Sequence, residues 1–148
     1  MADESNQLRV RLVTPERTFF DQTATAVELP SKSGYFEVLY GHAPLLAELG
    51  AGDVRVHTGA GLESSSPDTT RYNVSWGFVE VLPDRVTILA NDALAPSQID
   101  VERARQQLNH GQELWNQAGD SEEKYTEAER VINEAEAKLA SVGSAQNN

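Results

Sequence analysis

Any chemistry in this chain must come from three histidines, 23 carboxylates and 12 Lys or Arg side chains, with no cysteine present. Without thiols there are no disulfides and no thiolate metal sites. His42, His57 and His110 are widely separated and lack the clustered spacing of metal ligands, so each is expected at a turn, an edge or the surface. No Ser, His and Asp occur in a nucleophile setting, and no GxxxxGK phosphate loop is present. Gly59-Ala60-Gly61 joins two strand-like runs and opens no helix. The carboxylates of the second half spread around helical faces, as on a solvated surface. One stretch pairs an acid with a guanidinium on a single turn, Ile99-Asp100-Val101-Glu102-Arg103-Ala104, and its residue types alone describe a capped helix start. No catalytic site is legible, and the chain reads as a non-enzymatic subunit.

Charge narrows the partners. The formal net charge is -11 over 148 residues, which repels phosphate backbones and anionic headgroups and argues against nucleic-acid or membrane-surface binding. No apolar run approaches the ~20 residues that span a bilayer, so direct membrane insertion is not expected. Met1-Ala2-Asp3-Glu4-Ser5-Asn6 is polar and acidic, unlike a signal or transit peptide.

Two kinds of element must position whatever surface functions. Residues 8–90 read as β: Leu8, Val10 and Leu12 alternate with arginines, and Thr14-Pro15-Glu16 breaks the run. Phe19-Phe20 starts a short return. Thr23–Leu29 is strand-like up to Pro30, and Ser31–Gly34 turns into Tyr35–Tyr40. Tyr40–Leu49 (YGHAPLLAEL) is a rigid corner, since Gly41 reaches angles closed to other residues and Pro44 restricts itself and Ala43. Val54 and Val56 alternate again, and Ser64–Asp68 is a polar loop. Tyr72, Val74 and Trp76 alternate, Phe78, Val79 and Val81 extend the apolar run, and Leu82-Pro83-Asp84 leads to a last strand over Arg85–Ala90. Short strands with Gly/Pro turns predict a small β-sandwich or flattened barrel.

Beyond Asn91 the period changes from two to between three and four. Ala93–Gln98 is a linker and Asp100 an N-cap. Val101, Ala104, Leu108, Gly111 and Trp115 share one helical face, and Gly119-Asp120 ends that helix. Asp120 or Ser121 caps the next, with Glu123 placed as in a capping box, and Tyr125, Ala128, Ile132, Ala135, Leu139 and Val142 form its stripe. The predicted fold is α+β in sequence: an N-terminal β-sandwich over 1–91, then an antiparallel two-helix hairpin over 92–148 with a disordered tail from about 143. The alanines make a close but weakly held seam, since a buried CH₂ contributes only about 0.8 kcal/mol.

Four segments in order carry a family resemblance: Val13-Thr14-Pro15-Glu16 with Phe19-Phe20, Gly41-His42-Ala43-Pro44-Leu45-Leu46, Trp76–Val81 with Val86–Ala90, and Ile99–Ala104. Together they resemble the epsilon subunit of F-type ATP synthases, called delta in mitochondria, although Tyr40 stands where the family usually has Pro. The resemblance implies a non-catalytic central-stalk rotor subunit of a proton-translocating synthase. Its sandwich would clamp the foot of the gamma subunit and sit on the c-ring, coupling ring rotation to the catalytic head. The complex would lie on the cytoplasmic side of a bacterial inner membrane. Ser33–Leu46 resembles the edge facing the ring and gamma, which makes Tyr35, Glu37, Tyr40, His42 and Leu45 the expected interface, with Trp76 and Phe78 either there or in the core.

The same resemblance assigns the hairpin a regulatory role, with transient contact to the beta and alpha subunits. In some members an I/L-D-x-x-R-A pattern binds ATP, which would carry to Asp100 and Arg103 as ligands. Here Glu134 and Lys138 stand where those members have phosphate-binding arginines, and Glu134 would repel a triphosphate. No cofactor is required on this reading, and regulatory ATP is expected to bind weakly or not at all. Residues 120–142 hold seven acidic and three basic side chains, net -4, a poor match to the acidic beta-subunit segment that the hairpin of some relatives meets. The competing reading is a stand-alone β-sandwich binding module with an appended hairpin, because a fold does not fix a function.

Overall fold

The computed structural model describes residues 6–59 and 68–146. Most of the expected polar loop Ser64–Asp68, part of the Gly59–Gly61 turn and the acidic Met1–Ser5 lie outside the described residues. The chain divides into two compact units, Met1–Leu94 and Ala95–Asn148.

The first unit is all β. Its strands are β1 (Leu8–Val13), β2 (Thr18–Ala24), β3 (Ala26–Ser31), β4 (Gly34–Leu39), β5 (Leu45–Leu49), β6 (Gly52–His57), β7 (Thr69–Leu82) and β8 (Arg85–Leu94). The alternation of β1 is realised directly: Leu8, Val10 and Leu12 are fully buried while Arg9 and Arg11 face solvent. β1 pairs antiparallel with β2 and parallel with β8, and β8 runs antiparallel to β7. The long β7 then takes two neighbours in succession, β6 along its first half and β5 along its second. β6 pairs onward to β3, and β3 to β4. The result is two layers sharing their central strands, β2-β1-β8-β7-β5 and β8-β7-β6-β3-β4. Between them lies a core that includes Leu8, Leu12, Leu29, Val38, Val54, Val74, Val81 and Ile88.

The sharing depends on a reversal of side-chain phase. In the first half of β7 the core side is Tyr72 and Val74; in the second it is Val79 and Val81. The switch falls at Trp76 (φ 54°) and Gly77 (φ 133°), backbone angles that ordinary strands do not adopt. β8 switches at the same level, from Val86, Ile88 and Ala90 to Ala93, and the chain opposite switches from Leu49 to Val54 and Val56. Register with β8 is unbroken across the bend, from Asn73 opposite Leu94 to Leu82 opposite Arg85. This is why β8 continues to Leu94 rather than stopping at Ala90. Exposed Asn91 and Asp92 mark the phase change, which in sequence imitates a strand end.

Two other boundaries differ from the sequence reading. The run Thr23–Leu29 is broken at Thr25, whose Oγ1 donates to the carbonyls of His57 (2.9 Å) and Gly59 (2.8 Å). Pro30 lies inside β3 opposite Tyr35, and its carbonyl accepts the Gly50 N–H at 3.0 Å. A proline costs the ladder only a donor, so its oxygen can still tie the chain at the bend.

The second unit opens with a 3-10 turn, Pro96–Gln98, followed by α1 (Val101–Asn116) and α2 (Glu122–Gln146). Asp100 is the N-cap of α1, its carboxylate accepting from the Arg103 N–H at 3.1 Å. Gly119 turns the chain at φ 59°. The cap of α2 is Ser121, one of the two candidates read from sequence: its Oγ accepts the Lys124 N–H at 3.3 Å, and with Lys124 at the third helical position the capping box expected from Asp120 and Glu123 is not formed. Ala104, Gly111, Ala128 and Ala135 are buried along the seam. At Gly111 a Cβ would lie 2.7 Å from Ile132 Cγ1 and 3.2 Å from the Ile132 nitrogen, so α1 and α2 approach closely there. α2 continues past residue 143, where the sequence suggests a disordered tail.

A Cβ at Gly77 would run into the Leu89 carbonyl, and its φ of 133° suits glycine alone. Gly77→Ala should therefore cost at least about 2 kcal/mol in urea unfolding of the sandwich. Gly143→Ala, on a helix with nothing within 4 Å, should leave stability unchanged or raise it by up to about 1 kcal/mol. Equal midpoints for the two variants would refute the role given to the bend.

Candidate functional site

An all-β unit of this size buries its large apolar side chains inward, so those left outside carry information. Among the described residues of the sandwich, seven remain substantially exposed: Tyr35, Leu39, Tyr40, Leu45, Leu46, Phe78 and Leu89. Leu46, at 70%, is the most exposed. Their positions follow from register. Phe78 and Leu89 are direct cross-strand partners, and Leu89 is the parallel neighbour of half-buried Val13. Leu46 lies opposite Glu80, which makes Phe78 its diagonal neighbour on the same outward face. An apolar strip thus crosses the outer surface of the β5-β7-β8-β1 layer, bordered by Glu48, Glu80 and Arg11.

The corner from Leu39 to Leu45 leads into β5 beside the β7–β8 turn; Leu45, opposite Val81, has the inward phase yet stays exposed, and Leu46 after it begins the outward strip. Gly41 takes φ 87°, its N–H donates to the Pro83 carbonyl at 2.7 Å, and the His42 N–H closes a turn on Leu39 O at 3.2 Å. The His42 ring reaches its own chain, with Nδ1 2.6 Å from Ala43 O, and holds the corner stiff while Tyr40 and Leu45 point to solvent. The corner of the sequence reading is present, and it runs into a strand, β5, rather than into a packed turn. Among the residues named from sequence, Tyr40, His42 and Leu45 therefore come together. Phe78 joins them at the surface, whereas Trp76 is half-buried at the bend.

Tyr35 and Glu37 separate from this group. They alternate outward along β4, so they lie on the outer side of the opposite layer. Tyr35 is pinned there: its hydroxyl accepts the Asp53 N–H at 2.9 Å, and the Arg55 guanidinium stands 5.5 Å from its ring centre. Sequence reasoning missed Leu39, Leu46 and Leu89. Leu46 and Leu89 belong to runs apolar on both faces (Leu45-Leu46, Ile88-Leu89), in which periodicity cannot tell the outward member from the inward one.

His57 corrects an expectation. It is wholly buried in β6 rather than at a turn, edge or surface. Its Nδ1 is 2.9 Å from Thr69 Oγ1 and its Nε2 3.8 Å from Glu28 Oε2, the oxygen that also accepts Arg55 Nη1 at 3.2 Å. This is one polar patch between neighbouring strands. Among the described residues no group of three or more His, Asp or Glu is placed to hold a metal ion.

In the hairpin, the Asp100 carboxylate already serves the first turn of α1. Lys138 Nζ is paired with Glu134 Oε1 at 3.1 Å, one helical turn away, and both side chains are largely buried. A triphosphate seated there would meet a carboxylate and a cation that is already paired.

Comparison with known proteins agrees in family and extent. A family model described as the ATP synthase delta/epsilon chain β-sandwich domain matches residues 7–96. The ATP synthase epsilon chain of Acaryochloris marina is 38% identical over 142 residues, covering 95% of this chain and 98% of that one. A chain in a cryo-EM structure of the Euglena gracilis mitochondrial ATP synthase superposes with TM-score 0.75 at 21% identity, covering 96% of this chain and 87% of that one. A chain of the Tetrahymena thermophila mitochondrial ATP synthase, solved as its central stalk and c-ring, gives TM-score 0.64 at 13% identity over 91% and 96% of the two chains. At such identities these two likenesses concern the fold.

Proposed function

The chain belongs to the delta/epsilon family of ATP synthase subunits, and from that premise we propose that it acts as a central-stalk subunit of an F-type synthase whose work is to be gripped. The observation that carries this is the exposed apolar strip of Leu46, Phe78 and Leu89, together with the exposed corner of Tyr40, His42 and Leu45 that leads into the same strand. A monomer gains nothing from holding these side chains in water, where burying each would release about 1.5–3 kcal/mol. On our reading the strip receives the gamma subunit and the corner meets the c-ring. Rotation then passes from ring to head through a sandwich whose shared strands make it stiff. Tyr35 and Glu37, on the other layer, contribute at the margin of the ring contact.

The protein performs no bond-making itself on this reading. Among the described residues no helix is long and apolar enough to cross a membrane, so its attachment to one runs through the assembly. The hairpin would regulate hydrolysis by packing beside gamma, with transient contact to the beta and alpha subunits. Its net charge of -4 over residues 120–142 makes ionic capture of an acidic segment unfavourable.

Two measurements check this reading. Tyr40→Ala, His42→Ala and Phe78→Ser should each lower co-purification with the gamma–ring unit at least tenfold while shifting the melting temperature by no more than about 4 °C, a change of roughly 1 kcal/mol. Unchanged co-purification, or losses that track the melting temperature, would make these fold residues instead. Calorimetric titration of the full chain with ATP should give no saturable heat up to about millimolar nucleotide. Micromolar binding would show that Lys138 and Glu134 rearrange to admit it.

A further inference from the structure

At the turn end of the hairpin, α1 and α2 leave a surface groove of ≈ 530 Å³ lined by Gln112, Trp115, Asn116, Glu129 and Ile132. Trp115 is the bulky member of the α1 stripe that the sequence reading assigned to the seam, yet 45% of it is exposed. The reason is local. Tyr125 packs edge-on against it, with ring centres 4.7 Å apart and planes at 67°, and the Tyr125 hydroxyl donates to the Gly119 carbonyl at 2.9 Å. Together the stack and the tether hold the indole beside the turn with much of its surface in water. Nothing in the pairing of the two helices requires that exposure, because Gly111 and the buried alanines already close the seam.

The electrostatics of the groove point one way. Glu129 is exposed and makes no ion pair among the described residues. Glu122 and Glu136 stand seven residues before and after it, so the three carboxylates follow nearly one line along α2. Lys124 and Arg130 leave the helix roughly 140° and 100° around the axis from Glu129. On α1 the cation sharing the line of Gln112 is Arg105, two turns back, and its Nη1 already faces Glu102 at 3.9 Å. An indole face, an unpaired carboxylate and two side-chain amides are the parts that bind a guanidinium or ammonium group.

We propose that this groove receives a Lys or Arg side chain presented by a basic segment of a partner polypeptide. The cation sits against the Trp115 ring and the Glu129 carboxylate, and the amide oxygens of Gln112 and Asn116 accept from its N–H groups. A second copy of this chain is the wrong partner, since a net charge of -11 opposes self-association. An acidic target is repelled by the same carboxylates. The groove belongs to the second unit and shares no residue with the strip and corner of the sandwich, so its test succeeds or fails independently of ring attachment.

The experiment follows the two tryptophan indole N–H signals of the ¹⁵N-labelled full chain, assigned with Trp115→Phe, during titration with a short Gly/Arg peptide and its neutral citrulline counterpart. The Trp115 signal should shift saturably with the arginine peptide and not with citrulline, while Trp76 stays still. Glu129→Gln should weaken that binding at least threefold with an unchanged melting curve. Gln112→Ala serves as a second variant and should weaken it to a smaller degree. Free N-acetylarginine amide should bind at least tenfold more weakly than the peptide; equal binding would make this a small-cation site and overturn the assignment to a polypeptide. No saturable shift, an equal shift with citrulline, or full affinity in both Glu129→Gln and Gln112→Ala would likewise overturn it.

Discussion

One backbone event governs the sandwich: the reversal of side-chain phase at Trp76 and Gly77. Period-two alternation ties each residue of a strand to one face for as long as the strand stays regular. Two adjacent positive φ values free the chain from that tie, and β7 then gives Val74 to one side of the bend and Val79 and Val81 to the other while all of them reach the same core. Because β8 and the β5–β6 segment change phase at the same level, register is kept, and β7 and β8 serve both layers while β5 and β6 follow one another along β7. The close passage of Gly77 over the Leu89 carbonyl leaves no room for a side chain there. With shared strands the two layers are one covalent and hydrogen-bonded body, the property wanted of a part that transmits torque.

The same bend fixes which apolar residues are left outside. Once Val79, Val81 and Ile88 are committed to the core, Phe78 and Leu89 must face outward as neighbours, and β5 brings Leu46 beside them. The surface strip is thus a consequence of phase, and the corner at Gly41 is fastened to its end through the Pro83 carbonyl. The hairpin follows a different rule. Its seam is made of small residues, so α1 and α2 approach closely at Gly111 with little apolar area between them, and its bulky aromatic pair is displaced to the turn. Such a pair stays helical by propensity and capping more than by burial.

Much of this was legible in the sequence. The alternation of Leu8, Val10 and Leu12, the Asp100 cap, the glycine at the turn and the six-residue stripe of α2 are local signals, and local physics settles them. Other features were not legible because they depend on residues distant in the chain. The end of β8 was hidden by Asn91 and Asp92, polar residues that mark a phase change and look like a boundary. Phe78 and Leu89 belong to doubly apolar runs whose outward members only cross-strand pairing identifies. His57 is buried between Glu28 and Thr69, which come from two other strands. Of the interface residues named from sequence, Tyr40, His42 and Leu45 share one corner, while Tyr35 and Glu37 are carried to the opposite layer by β4.

The central claim is that the strip exists to be covered. Because the chain has no cysteine, a single one can be placed at Leu46, the most exposed large apolar side chain among the described residues of the sandwich, and its maleimide reaction rate read directly. The rate should be that of a free thiol in the isolated subunit and should fall at least tenfold in membranes bearing the assembled synthase. Equal rates in the two states would leave the strip open to water in the working complex and contradict the account.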